Sequence, residues 1–95
     1  MSWKILYHPD VEDDLEAVGP SAARRIMRTI NEKLTCAPLQ FGSGLTGNLA
    51  SLRKLRVGDY RVVYRIKEEK VIVYVLTVGP RRDKEVYKSA LSRGL

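Results

Sequence analysis

Four side chains in the second half of this 95-residue chain have the chemistry to cut an RNA phosphodiester: Lys54, Arg61, Arg81 and Tyr87. RNA carries its own nucleophile, the 2′-hydroxyl beside each phosphate. Cleavage then needs a group to take that proton, a group to protonate the leaving oxygen, and fixed positive charge for the oxyanion that builds. Histidines and carboxylates are the usual proton carriers; here an amine and a phenol stand in their place. Both titrate at about pH 10 when unperturbed, and neighbouring guanidiniums favour their less positive forms. Arginine forks match phosphate oxygens, and a tyrosine ring stacks on an unpaired base. No metal is required, and no cofactor is expected: with one histidine, His8, and one cysteine, Cys36, the chain offers no metal-ligand cluster.

A hairpin must position the first two of these groups. Gly58-Asp59 between two β-rich runs is a strong two-residue turn signal. It pairs Val57 with Tyr60, Arg56 with Arg61, Leu55 with Val62 and Lys54 with Val63. Alternation then puts Leu55, Val57, Tyr60, Val62, Tyr64 and Ile66 on a core face. Lys54, Arg56, Arg61 and Arg65 fall on the other face, with Leu52 and Val63. A slip of one residue would destroy this sorting, so the register is well specified. Arg81 and Arg82 leave the strand that follows, and Tyr87 lies one turn into a final helix. That helix must fold back along the sheet for Arg81 and Tyr87 to approach Arg61.

The remaining elements follow from periodicity. Trp3–Tyr7 reads as a short strand. His8-Pro9-Asp10 starts a helix to about Val18, with Asp10, Glu12, Asp13 and Asp14 at the positive end of its dipole. Gly19-Pro20 breaks it, and Ser21 is the candidate N-cap of a second helix over 22–36, whose buried stripe is Ile26, Met27, Ile30 and Leu34. Residues 37–50, rich in glycine, match no phosphate-cradle pattern and read as a plain connection. Glu68-Glu69 turns the chain into Lys70–Val78, whose apolar run from Val71 to Leu76 marks a strand covered on both faces. Gly79-Pro80 ends it, and Asp83–Arg93 forms the last helix. The expected fold is α+β, β-α-α-β-β-β-α: a mostly antiparallel four-stranded sheet with an N-terminal helical hairpin and a C-terminal helix, in one domain over residues 1–95.

Charge agrees with the sorted hairpin. The net charge is +6, but residues 1–36 carry five basic and six acidic residues, whereas 37–95 carry twelve and five. A basic field confined to one part of the chain favours an anionic partner such as nucleic acid. Arg56, Arg65, Arg82, Lys84 and Lys88 are the further candidates for RNA contact. No apolar run reaches the ~20 residues of a membrane span, and no secretory signal opens the chain. A reduced, cytoplasmic setting fits a lone cysteine, with Cys36 read as a buried small apolar side chain.

The segment Leu55-Arg-Val-Gly-Asp-Tyr-Arg-Val-Val-Tyr-Arg65 resembles the central hairpin of the RelE/ParE toxin superfamily. Val73-Tyr-Val-Leu-Thr-Val-Gly-Pro-Arg-Arg-Asp-Lys-Glu-Val-Tyr87 is similar to the RelE branch in particular. The likeness is specific over about residues 52–92 and rests on element order before that. It implies a toxin paired with a cognate antitoxin protein: a ribosome-dependent endoribonuclease that cuts mRNA in the A site, leaving a 2′,3′-cyclic phosphate and a 5′-hydroxyl. By that resemblance Lys54 and Arg61 fill the hairpin positions of the active site, Arg81 the position after the last strand and Tyr87 the helix position. Tyr87 is then the general base, Lys54 the acid or charge stabiliser, and Arg61 and Arg81 the holders of the scissile phosphate. Two positions depart from the pattern. Leu52 stands where well-studied members carry a second lysine, and Pro80 where a basic residue is common. Arg53 adjoins the first gap but points to the opposite face; Arg56 lies on the correct one.

Other readings stand beside this one. ParE toxins share the fold but bind DNA gyrase and are not nucleases, and a non-catalytic RNA- or antitoxin-binding domain would need no active site. Arg61 can instead be a structural arginine paired with Asp59 or Asp83, Tyr87 a core aromatic, and Lys54 surface decoration. Tyr7, Tyr60, Tyr64 and Trp3 read as core aromatics, and His8 as a helix-start residue.

Overall fold

The computed structural model describes residues 2–83 and 85–94. In chain order the elements are β1 (Lys4–Tyr7), α1 (Val11–Val18), α2 (Pro20–Thr29), β2 (Ser43–Gly44), β3 (Arg53–Val57), β4 (Tyr60–Lys67), β5 (Ile72–Pro80) and α3 (Glu85–Gly94). The sheet has five strands in the order β1-β5-β4-β3-β2, with β1 parallel to β5 and the other pairs antiparallel. The expected four-stranded sheet is thus corrected to a mixed one of five. The extra strand is a two-residue edge, Ser43 and Gly44 against Lys54 and Arg53, inside the segment read as a plain connection. Two residues are too few to show an alternating pattern, which is why periodicity missed them.

The β3–β4 register is the expected one, from Val57↔Tyr60 to Lys54↔Val63. Gly58 takes the positive φ of 59° that the turn demands, and the Arg25 guanidinium lies where a Cβ would project, 2.6 Å from it. Between β4 and β5 the pairing steps from Val63↔Thr77 to Tyr64↔Val75, leaving Leu76 as an extra residue. This bulge resets alternation. Val73, Val75 and Val78 therefore share one core with Leu55, Val62 and Tyr64, while Leu76 joins Leu52 and Val63 on the other side.

The first core is covered by α1, α2 and the turn that follows α2, which deliver Val11, Ile26, and Ile30 with Leu34 respectively. Ile26, Ile30 and Leu34 keep the expected stripe, but the helix does not: α2 ends at Thr29 and widens into a π-type turn over Ile30–Leu34. Its start also differs. Gly19 is the cap residue and Pro20 opens the helix, so Ser21 is inside the first turn and not the N-cap. Proline's fixed φ and missing N–H suit that first position. Cys36 is exposed, contrary to expectation, because it lies past Leu34, the end of the buried Ile26–Ile30–Leu34 stripe, and its thiol donates to the Glu32 carbonyl at 3.2 Å. Tyr64 is fully buried; its hydroxyl donates to the carbonyl oxygens of Pro38 (2.8 Å) and Phe41 (2.9 Å), and burial raises its pKa. Trp3, Tyr7 and Tyr60 pack part-buried against the same core. His8 is the local helix-start group expected of it: its Nδ1 accepts from the Asp10 N–H at 3.1 Å.

Candidate active site on the α3 face

The other side of the sheet is covered by α3, with Leu45 and Leu49 of the segment before β3 packed part-buried beside it. Val86 and Ala90 close over Leu52, Val63 and Leu76. Asp83, expected inside the helix, instead accepts from the Glu85 N–H at 2.9 Å ahead of α3. The decisive contact is at Gly79. Expected to end the strand, it lies instead inside β5, paired with Arg61. A Cβ there would sit 2.6 Å from Val86 Cγ2. A bare backbone at this point lets α3 lie close against the sheet.

Tyr87 follows Val86 and so lands on Gly79's cross-strand neighbour. Its hydroxyl accepts a hydrogen bond from Arg61 Nη1, and Arg61 Cζ lies 5.1 Å from the ring centroid. The ring packs part-buried against the Leu52–Val63–Leu76 cluster while its oxygen reaches the cation. Tyr87 is thus both core aromatic and polar group. Because its oxygen accepts from Arg61, its own O–H is directed elsewhere. Arg61 makes no ion pair with Asp59 or Asp83, and its Nε is buried with no hydrogen-bond partner among the described residues. A guanidinium held by a phenol, with no carboxylate to neutralise it, retains its charge for an anion.

The other candidates are placed as follows. Lys54 is half-buried on β3, opposite Val63 and diagonal to Arg61 on the same face, and makes no ion pair among the described residues. The Arg81 N–H extends the ladder by donating to the Asp59 carbonyl at 2.8 Å. Its side chain borders a hollow of about 370 Å³ formed with Asp59, Pro80 and Arg82, beside the strand end and not under Tyr87. The structure therefore joins Arg61 to Tyr87, sets Lys54 on their face, and leaves Arg81 in an adjoining recess. Arg56 Nε donates to the Gly58 carbonyl at 3.1 Å, Arg65 stands opposite Tyr74, and Arg82 is exposed. Lys88 pairs with Glu85 at 3.5 Å, both largely exposed, an interaction of little energy. Lys84 lies outside the described residues. Of the departures, Leu52 is buried beneath α3 and adds no charge, and Pro80 is exposed at the end of β5. Arg53 does point the other way, donating to the carbonyls of Leu39 (3.0 Å) and Gly42 (3.2 Å).

A second basic region had gone unnoticed. Arg24, Arg25 and Arg28 line a groove of about 680 Å³ with Tyr60 and the α1–α2 joint. Their 24/25/28 spacing was visible, but the carboxylates of α1 hid it in the regional charge balance.

A family model described as ParE toxin of type II toxin-antitoxin system, parDE, matches residues 5–85. The chain belongs to the ParE toxin family of type II toxin–antitoxin systems. Within this family it is similar to the mRNA interferase toxin RelE of Escherichia coli (strain K12), 50% identical over 40 residues; that match covers 42% of each chain. It is also similar to Toxin RelG of Mycobacterium tuberculosis, 29% identical over 83 residues, covering 87% of this chain and 95% of the relative. A free arginine-to-alanine mutant of E. coli toxin RelE superposes with a TM-score of 0.81 at 27% identity, each chain covered in full.

Proposed function

We propose that this toxin is a RelE-type mRNA interferase: a metal-independent endoribonuclease that cuts mRNA in the ribosomal A site. The Arg61–Tyr87 contact on the basic face carries the reading. In the proposed reaction Tyr87, as phenolate, takes the 2′-hydroxyl proton while that oxygen attacks the adjacent phosphorus. The 2′-O–P bond forms, the P–O5′ bond breaks, and the Lys54 ammonium protonates the departing oxygen. The products are a 2′,3′-cyclic phosphate and a 5′-hydroxyl. Arg61 and Arg81 stabilise the charge that develops on the non-bridging oxygens. Arg56, Arg65, Arg82, Lys84 and Lys88 contribute sequence-independent attraction to the RNA backbone. The α2 arginines give a second surface for phosphate on the opposite side of the hairpin tip. The toxin works in the cytoplasm, and its partner is a cognate antitoxin that covers the basic face.

Primer extension on a translated message tests this. Wild type should cut only when ribosomes are present. Tyr87→Phe, which keeps the ring in its packing site, should lower the rate by about 10²–10⁴, the span of general acid–base catalysis. Intact transcripts under these conditions overturn the reading. The family model's name favours a second one, gyrase binding, which predicts blocked supercoiling with intact message.

A further inference from the structure

α3 carries Tyr87, yet little holds it. It has ten residues and buries only Val86 and Ala90 among its described side chains. A helix so short has almost no stability of its own. Its far end is fastened by one residue, Arg93, which forks onto Asp14 of α1: Nη1 to Oδ2 at 2.6 Å and Nη2 to Oδ1 at 3.2 Å. Nη1 also donates to the Leu76 carbonyl at 3.0 Å, and Nε lies 3.8 Å from an Asp10 carboxylate oxygen. Both Arg93 and Asp14 side chains are only 16% exposed. Hydrogen bonding to Asp14 raises the Arg93 pKa further, so the charge is permanent.

The place of this contact gives it meaning. β1 pairs with β5 only from Ile72 to Val75, and beyond that the β5 edge is bare. Asp14 caps it, accepting from the Val78 N–H (3.1 Å) and the Thr77 hydroxyl (3.2 Å). Asp14, expected to serve the α1 dipole, is therefore an edge cap that also receives α3. Arg93 lies seven residues after Val86, roughly 10 Å further along the axis. With Val86 seated on Gly79 at one end, the fork at the other fixes both the direction of α3 and its rotation about its own axis. That rotation decides whether the Tyr87 oxygen meets Arg61.

We propose that Arg93, through Asp14, is the positioning residue of the site: it locks α3 onto the β5 edge and thereby keeps Tyr87 against Arg61. For its catalytic consequence the proposal rests on the nuclease reading above. Arg93 is the clean place to test it, because Asp14 stays bonded to Thr77 and Val78 without it.

Two measurements separate the lock from the nuclease reading. Amide hydrogen exchange and the Tyr87 ring resonances, recorded on the free protein, need no RNA. Arg93→Ala should speed exchange in residues 88–93 by about tenfold or more and move the Tyr87 resonances, while β4 and β5 amides change by less than about twofold. Arg93→Lys keeps the charge, loses the fork, and should fall between. Unchanged α3 exchange overturns the lock, and so does an increase spread evenly over the sheet, which would mark plain loss of stability. In the ribosome assay Arg93→Ala should lower kcat by about tenfold with KM within about twofold. A normal kcat with a loosened α3 overturns the positioning role. If wild type does not cleave, the nuclease reading alone fails, and exchange with the Tyr87 resonances still decides whether the lock exists.

Discussion

The two faces of this sheet are covered very differently. Against α1 and α2 lie Leu55, Val57, Val62, Tyr64, Val73, Val75 and Val78, sealed by Val11, Ile26, Ile30 and Leu34. Against α3 the buried set is Leu52, Val63, Leu76, Val86 and Ala90. One face is a core; the other is half a core with a basic surface beside it. Binding an anion requires guanidiniums that are held in place yet not neutralised, and an under-covered sheet face provides that. The hairpin strands are stiffened from behind by two helices, so Arg61 is presented on a rigid support. The helix in front brings the Tyr87 hydroxyl to Arg61 at the boundary between packed and open surface.

If the division is real, damage to the two faces should separate stability from activity. The largest stability effect belongs to the two-helix face. Ile30→Ala should cost about 2–5 kcal/mol in urea unfolding, since Ile30 is fully buried in the larger core. Variant molecules that remain folded should cleave at the wild-type rate. Gly79→Ala comes next. The new Cβ meets Val86, a short and stiff side chain that cannot swing aside, so α3 must lift. Overpacking predicts about 1–3 kcal/mol, together with a fall in cleavage of more than tenfold as Tyr87 leaves Arg61. Activity lost beyond the share of unfolded protein would locate the damage at the site. The smallest effect is Tyr64→Phe, which removes the hydroxyl bonded to Pro38 and Phe41 and should cost about 0.5–1.5 kcal/mol. Its cleavage rate should stay near wild type, because that hydroxyl lies on the far face. Loss of activity there, with stability intact, would contradict the separation of the two faces.

Much of this was legible beforehand, and the reason is local. A two-residue turn dictates a register, and a register dictates which side chains share a face. Gly58-Asp59 was therefore enough to place Lys54, Arg56 and Arg61 together, opposite Leu55, Val57 and Val62. The Ile26–Ile30–Leu34 stripe followed equally from helical spacing, even though the backbone there widens into a π-type turn. The misses are of another kind. β2 is a strand only because β3 lies beside it, and the Leu76 bulge exists only in the pairing of two strands. Gly79 looked like a strand end because glycine usually punctuates; its actual role depends on a helix arriving from elsewhere in the chain.

Sequence alone determined the longer strands and helices, the hairpin register, the basic face and the family likeness, all of which rest on residues close together in the chain. Tertiary structure decided where α3 docks, that Tyr87 meets Arg61, and that Asp14 and Arg93 join across 79 positions. Such contacts depend on how separate elements pack, and packing is a property of three-dimensional complementarity that no local spacing encodes.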